Sequence, residues 1–165
     1  MSSSIKEPKD PALYRPCVGV MLLSQGNQAF VAQRRDQLLE AWQMPQGGID
    51  DGEDAETAFW RELNEETGLT DQHVSIIQES SQWLYYDLPT DLQKQVWGGK
   101  YLGQRQRWFL ARFTGQDSDV NIFTHTPAEF TEWKWVPPEQ MISMIVPFKV
   151  DLYKELLKEF SPLYK

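Results

Sequence analysis

The chain has 165 residues, enough for one domain with its own core, and its 41% hydrophobic and 13% aromatic content excludes a disordered chain. A net charge of −8 argues against bulk attraction to nucleic acid, DNA included, or to a membrane, and no run of 18 apolar residues is present to span a bilayer. The single cysteine, Cys17, excludes an internal disulfide and fits a reducing compartment, the cytoplasm with the nucleus as a second place; a soluble protein is expected, and a monomer is a separate expectation.

Residues 1–11 are polar and proline-bracketed and lack the apolar core of a signal peptide; they read as a flexible tail before one domain, 12–165. VGVMLLS and AFVAQRR flank the turn signal QGNQ, which predicts a β-hairpin. QMPQ is a short extended piece, kept out of helix by Pro45. Residues 54–67 read as a helix, and VSIIQES and SQWLYYDLP as strands. A long loop, 90–104, precedes the strand RQRWFLARF, whose early positions alternate basic and apolar. EFTEWKWV is a further strand, with Trp133 and Trp135 on one face as core. PPEQMISMI reads as a short helix and FKVDLYKELLKEF as an amphipathic one. Strands mixed with three helices, without strict alternation, give an α+β chain with a mixed sheet.

Charge is distributed unevenly. Residues 50–71 hold nine acids and one base, Arg61, a local balance of −8, so the other 15 acids and 15 bases cancel. Residues 92–116 hold no acid but carry Lys94, Lys100, Arg105, Arg107 and Arg112. Two complementary binding surfaces are expected.

On a helix of about 100° per residue, Glu62, Glu65 and Glu66 share the side of Ala55, Ala58 and Phe59, while Thr57, Trp60 and Asn64 face away. A solvated acidic face would have the opposite arrangement. Three inward carboxylates repel one another at the negative end of the helix dipole, and Arg61, four residues before Glu65, cannot neutralise them all. A divalent cation can, and an all-oxygen set suits Mg²⁺ or Mn²⁺. Gly68 is placed to close the helix, and Gly47 and Gly48 allow a loop to approach a ligand closely.

Gly47, Glu53, Arg61-Glu62-Leu63, Glu65-Glu66 and Gly68-Leu69, at these spacings, resemble the Nudix box. The resemblance implies an α/β/α sandwich, a hydrolase acting on nucleoside diphosphates linked to another moiety, and metal held by Glu62, Glu65 and Glu66. It also implies that Arg61 orients the acids and that Glu53 supports the metal network. YRPCVGVMLL, WQMPQGGID, GQRQRWFLARF and PAEFTEWKWV look like the branch holding plant-type diadenosine tetraphosphate hydrolases and bacterial RNA pyrophosphohydrolases. In that branch a glutamate before the late strand adds a metal ligand or base; the matching residue is Glu129, with Glu132 inside the strand proper.

Phosphoanhydride hydrolysis needs an activated water, a neutralised polyphosphate and a held leaving group. Glu66 and Glu129 are the candidate bases. Arg34, Arg35, Lys100, Arg105 and Arg107 are the candidate phosphate contacts. Trp83, Tyr85, Tyr86 and Phe148 are the candidate adenine platform, a tyrosine and Phe148 forming the clamp; alternation sets Trp83 and Tyr85 on one face and Tyr86 on the other. The first expectation is asymmetrical cleavage of diadenosine tetraphosphate, a small dinucleoside polyphosphate, to ATP and AMP. Removal of pyrophosphate from the 5′ end of triphosphorylated RNA is the second. A catalytically inactive nucleotide-binding module is the third, disfavoured because every box acid is intact.

Overall fold

The computed structural model describes residues 10–35, 41–124 and 128–165, so all but the end of the expected flexible tail lies outside the described residues. Eight strands join one sheet: β1 (Tyr14–Leu23), β2 (Ala29–Arg34), β3 (Trp42–Gln43), β4 (Gln46–Gly48), β5 (Val74–Glu79), β6 (Leu84–Asp87), β7 (Gly103–Phe113) and β8 (Phe130–Val136). The helices are α1 (Ala55–Thr67), the single turn α2 (Thr90–Gln93) and α3 (Val150–Phe160). The main order is β3-β2-β1-β7-β5, with β4 on β1, β6 on β7 and β8 on β2.

β1 and β7 pair in parallel from Tyr14↔Gly103 to Leu23↔Arg112. Burial on both faces explains why CVGVMLL is a continuous apolar run instead of an alternating one. This pairing also draws Gly103 and Gln104 out of the expected loop, so β7 starts two residues before Arg105. The β1–β2 hairpin forms, with Asn27 at φ 61° in its turn. Past the turn the strands separate, and β4 takes the place beside Cys17, Val18 and Gly19.

Side-chain parity assigns two cores to the two faces. Val18, Val20, Leu22, Phe109 and Ala111 meet Ala58, Phe59 and Leu63 of α1. Met21, Leu23, Trp108 and Leu110 meet Leu152, Tyr153, Leu156 and Phe160 of α3. The result is the expected α/β/α sandwich. Trp133 and Trp135 are only half-buried, but their rings pack on Phe30 at 5.2 and 5.8 Å. The PPEQMISMI segment is helical over Pro138–Ser143, but as a 3₁₀ turn, closed by i→i+3 bonds such as Gln140 N–H to Pro137 O. Among the described residues no helix is long and apolar enough to cross a membrane.

α1 is stopped at both ends by its own sequence. Asp54 caps it, its carboxylate accepting from Thr57 N–H at 2.8 Å. Gly68 closes it at φ 74°, donating to Asn64 O. These caps fix how far the glutamates of the last turns project along the sheet.

Candidate active site

Arg61 organises the acids. Its Nε and Nη2 form a fork on Glu53, both at 2.8 Å, and Nη2 also donates to Gly48 O at 2.8 Å. Nη1 donates to Glu62 at 2.8 Å and, more weakly, to Glu65 at 3.4 Å. The expected Arg61–Glu65 pair is thus the longest of these contacts, and Glu53, eight residues earlier, is the main partner. The guanidinium fork holds the Glu53 carboxyl down at about 2. One arginine thereby ties the loop before α1 to the acid-bearing side of the helix.

The inward placement holds for Glu66 and Glu62 and only in part for Glu65, whose side chain is 32% exposed. Glu66 is 3% exposed, and the Glu62 side chain 13%. Burial, followed by the contact with Glu62 and the charges of Glu62 and Glu129, pushes the Glu66 carboxyl far above the usual carboxylate range. Glu62 is raised as well, chiefly by burial. Among the described residues Glu66 Oε2 is buried and has no hydrogen-bond partner. Gly47 allows this approach, since a Cβ there would fall within the Glu62 carboxylate. Among the described residues no three acid, histidine or cysteine side chains are already arranged to enclose an ion; Glu62 and Glu66 face each other, and Arg61 occupies Glu62 from the other side.

A groove of about 400 Å³ opens over these carboxylates, lined by Glu62, Glu65, Glu129, Gly47, Gly48 and Arg34 among others. Glu129 is exposed and sits immediately before β8, as its sequence position suggested, with its carbonyl held by Arg35 N–H at 2.9 Å. Glu132 lies within β8, opposite Gln33.

The other candidates separate by face. Arg105 and Arg107 share the α1 side of β7. Arg105 stacks on Trp83 at 4.3 Å and lines a second depression beside residues 49–55. Arg107 is paired with Glu79 at 2.8 Å. Lys100 is exposed, over the Tyr101 ring, and the Arg35 side chain is exposed. Tyr85 packs edge-on to Tyr14 at 5.1 Å. Tyr86 is buried on the opposite face, 5.9 Å from the Phe148 ring and tilted by 37°. The structure therefore brings Tyr86 to Phe148, and Trp83 and Tyr85 to neither.

Five groove residues escape a reading of the sequence. Arg15 and Gln104 face each other across the β1–β7 pair, and both line the groove with Gln46, Val96 and Trp97. Beneath them Gln46 Oε1 accepts from Gln106 Nε2 at 3.0 Å and from Lys149 Nζ at 3.2 Å, while Gln106 donates to Gln104 and accepts from Trp108 Nε1. Burial, then the charge of Arg34, pulls the Lys149 ammonium down to about 8. The available sequence signal was the repeated glutamine in GQRQRW, which places two amides on one strand face.

Residues 13–156 match the NUDIX domain family. An RNA pyrophosphohydrolase of Novosphingobium aromaticivorans is 53% identical over 151 residues, covering 91% of this chain and 94% of that one. That of Sphingopyxis alaskensis is 54% identical over 154 residues, covering 93% and 97%. Among solved structures, a C. elegans Ap4A hydrolase binary complex superposes with a TM-score of 0.62 at 21% identity, covering 88% of this chain and 98% of that one. The E. coli dihydroneopterin triphosphate pyrophosphohydrolase reaches 0.69 at 19% identity, covering 89% and 99%. At these identities the structures speak for the fold, and the sequence relatives for the family. The chain belongs to the NUDIX domain family and is a Nudix hydrolase.

Proposed function

We propose that the chain removes pyrophosphate from the 5′ end of triphosphorylated RNA, leaving a 5′-monophosphate. One observation carries this reading: relatives more than 50% identical over more than nine-tenths of the chain bear that activity in their names. It reverses the order expected from the sequence, where diadenosine tetraphosphate stood first. The likeness to the C. elegans Ap4A hydrolase supports a shared fold and does not favour the dinucleotide.

The carboxylates fit a hard divalent cation such as Mg²⁺ or Mn²⁺. Glu66 Oε2 is buried and unpartnered among the described residues, and Glu62 and Glu66 face each other in a way that needs a proton or a cation between them. Glu62, Glu65, Glu66 and Glu129 would hold it. When bound, such an ion neutralises phosphate charge and lowers the pKa of a bound water. The protein's own residues do the rest. Arg61 holds Glu53 and Glu62 against recoil as the anionic substrate enters. Arg34 and Arg15 offer guanidinium groups to the phosphate oxygens from the groove walls. Water adds to one phosphorus, the P–O–P bridge breaks, and Glu66 or Glu129 takes the proton. Pyrophosphate and the 5′-monophosphate end leave.

The test is a competition. A 5′-triphosphorylated oligonucleotide and diadenosine tetraphosphate are supplied with Mg²⁺ and the products resolved chromatographically. The RNA should be preferred by at least about tenfold in kcat/KM, roughly the discrimination that one or two unshared contacts provide. Faster consumption of the dinucleotide would restore the other order.

A further inference from the structure

Between α2 and β7 the backbone does something that bulky residues avoid. Trp97 has φ 49°, and Gly98 and Gly99 follow at 66° and 73°, three successive residues in the left-handed region. Two glycines take such angles at little cost; a tryptophan does not. The turn is closed by Gly99 N–H to Val96 O and Lys100 N–H to Trp97 O, so the conformation is fixed. Its effect is to turn the indole into the wall of the carboxylate groove.

There the ring lies 5.3 Å from the Arg15 guanidinium. On its other side Arg15 rests against Gly48, where a Cβ would collide with Nη2. Nη1 reaches Cys17 Sγ at 3.6 Å. A ring, a backbone face and a thiol are all uncharged. They hold the guanidinium plane, and among the described residues no carboxylate takes its N–H groups. A carboxylate in the place of Trp97 would fix Arg15 equally well, but would consume the N–H groups that a phosphate needs.

We infer that Trp97 is a positioning residue: through its face it presents the Arg15 guanidinium to the phosphate chain of the substrate, and the strained turn serves to deliver that face. The inference rests on the reading of the groove as a polyphosphate site, and not on which polyphosphate is natural.

Two measurements test it. The first is calorimetric binding of inorganic tripolyphosphate with Mg²⁺ to the full chain. The second is kcat and KM on the triphosphorylated oligonucleotide. Trp97→Leu should raise Kd and KM about 5- to 10-fold, within the range of a partly desolvated cation–π contact, and leave kcat within about twofold. Trp97→Phe, which keeps a face, should recover most of the loss. With Arg15→Ala already present, adding Trp97→Leu should change Kd by less than about twofold, because the two residues act as one unit. An undiminished effect of Trp97→Leu in the Arg15→Ala background would overturn the inference. So would an absence of tripolyphosphate binding by the unaltered chain. Should Trp97→Leu fail to fold, Trp97→Gly removes the ring and the strain together; it should keep the melting temperature and still lose binding, and normal binding would again overturn the inference. If the unaltered chain binds tripolyphosphate with this coupling but ignores triphosphorylated RNA, the RNA reading fails and the Trp97–Arg15 unit stands.

Discussion

Single residues carry the electrostatics of this groove in two opposed ways. Arg61 is a paired cation, spending its donors on Glu53, Glu62 and Gly48 O, so it stabilises the acids and has little left for a ligand. Lys149 is a cation buried beneath the groove, with Gln46 Oε1 at 3.2 Å and a buried position that disfavours its charge. Its folded pKa of about 8 lies below the unfolded value near 10.4. Between those values the unfolded chain binds a proton that the folded chain does not, so stability must rise with pH across that window and be lower below it. Comparing the chain with Lys149→Met in urea denaturation at pH 7, 8, 9 and 10 isolates the effect. The difference should move in favour of the unaltered chain by up to about 1.4 kcal/mol per pH unit between pH 8 and 10. Parallel pH curves for the two proteins would mean that the ammonium finds solvation in its pocket.

Among the elements, α1 could be read almost completely in advance because local chemistry determines it. A 3.6-residue period and a closing glycine lie in or beside the segment, and the same period turned Glu62 and Glu66 inward; Asp54, read as the first helical residue, is instead the cap. Gly68 gives this a measurable form. Alanine there must take φ 74°, and its Cβ would sit 3.2 Å from Thr124 Cγ2. Gly68→Ala should cost about 1–2 kcal/mol in equilibrium unfolding, the usual left-handed penalty, and a change below about 0.3 kcal/mol would show that the helix end can relax. The β-elements were readable only in part. Alternation correctly separated Tyr85 from Tyr86 and grouped Arg105 with Arg107. It contains nothing about which face of a strand meets which layer, and the parallel β1–β7 pair, joining residues some ninety positions apart, leaves no turn signal. Arg105 and Arg107, read as candidate phosphate contacts, do not line the groove; one is stacked on Trp83 and one paired with Glu79. For the same reason Arg15 passed unnoticed: its relation to Gln104 exists only once β1 and β7 are side by side.

At the scale of the whole molecule, the net charge of −8 divides into two populations that should respond differently to ions. Of the nine acids in residues 50–71, Asp50, Asp51, Asp54, Glu56 and Asp71 are exposed, while Glu53, Glu62, Glu65 and Glu66 are turned toward Arg61 and the groove. Exposed acids repel through water, and any salt screens them within a Debye length of about 8–10 Å. The inner acids are partly desolvated, and only a cation that enters the groove relieves them. Because such a cation binds the folded chain far better than the unfolded one, stability should grow by about 1.4 kcal/mol for each tenfold rise in free Mg²⁺ above its Kd. For a chain of this length that corresponds to about 2–4 °C in melting temperature per kcal/mol. Scanning calorimetry in millimolar Mg²⁺, set against KCl at matched ionic strength, separates the two populations. Mg²⁺ should raise the melting temperature by several degrees beyond KCl, and Glu66→Gln, which removes a buried carboxylate while keeping its shape, should abolish most of that excess. Equal shifts in Mg²⁺ and KCl, or an excess that survives in Glu66→Gln, would mean that the stabilisation comes from the outer acids alone and that the inward cluster is held by Arg61 and a shared proton instead.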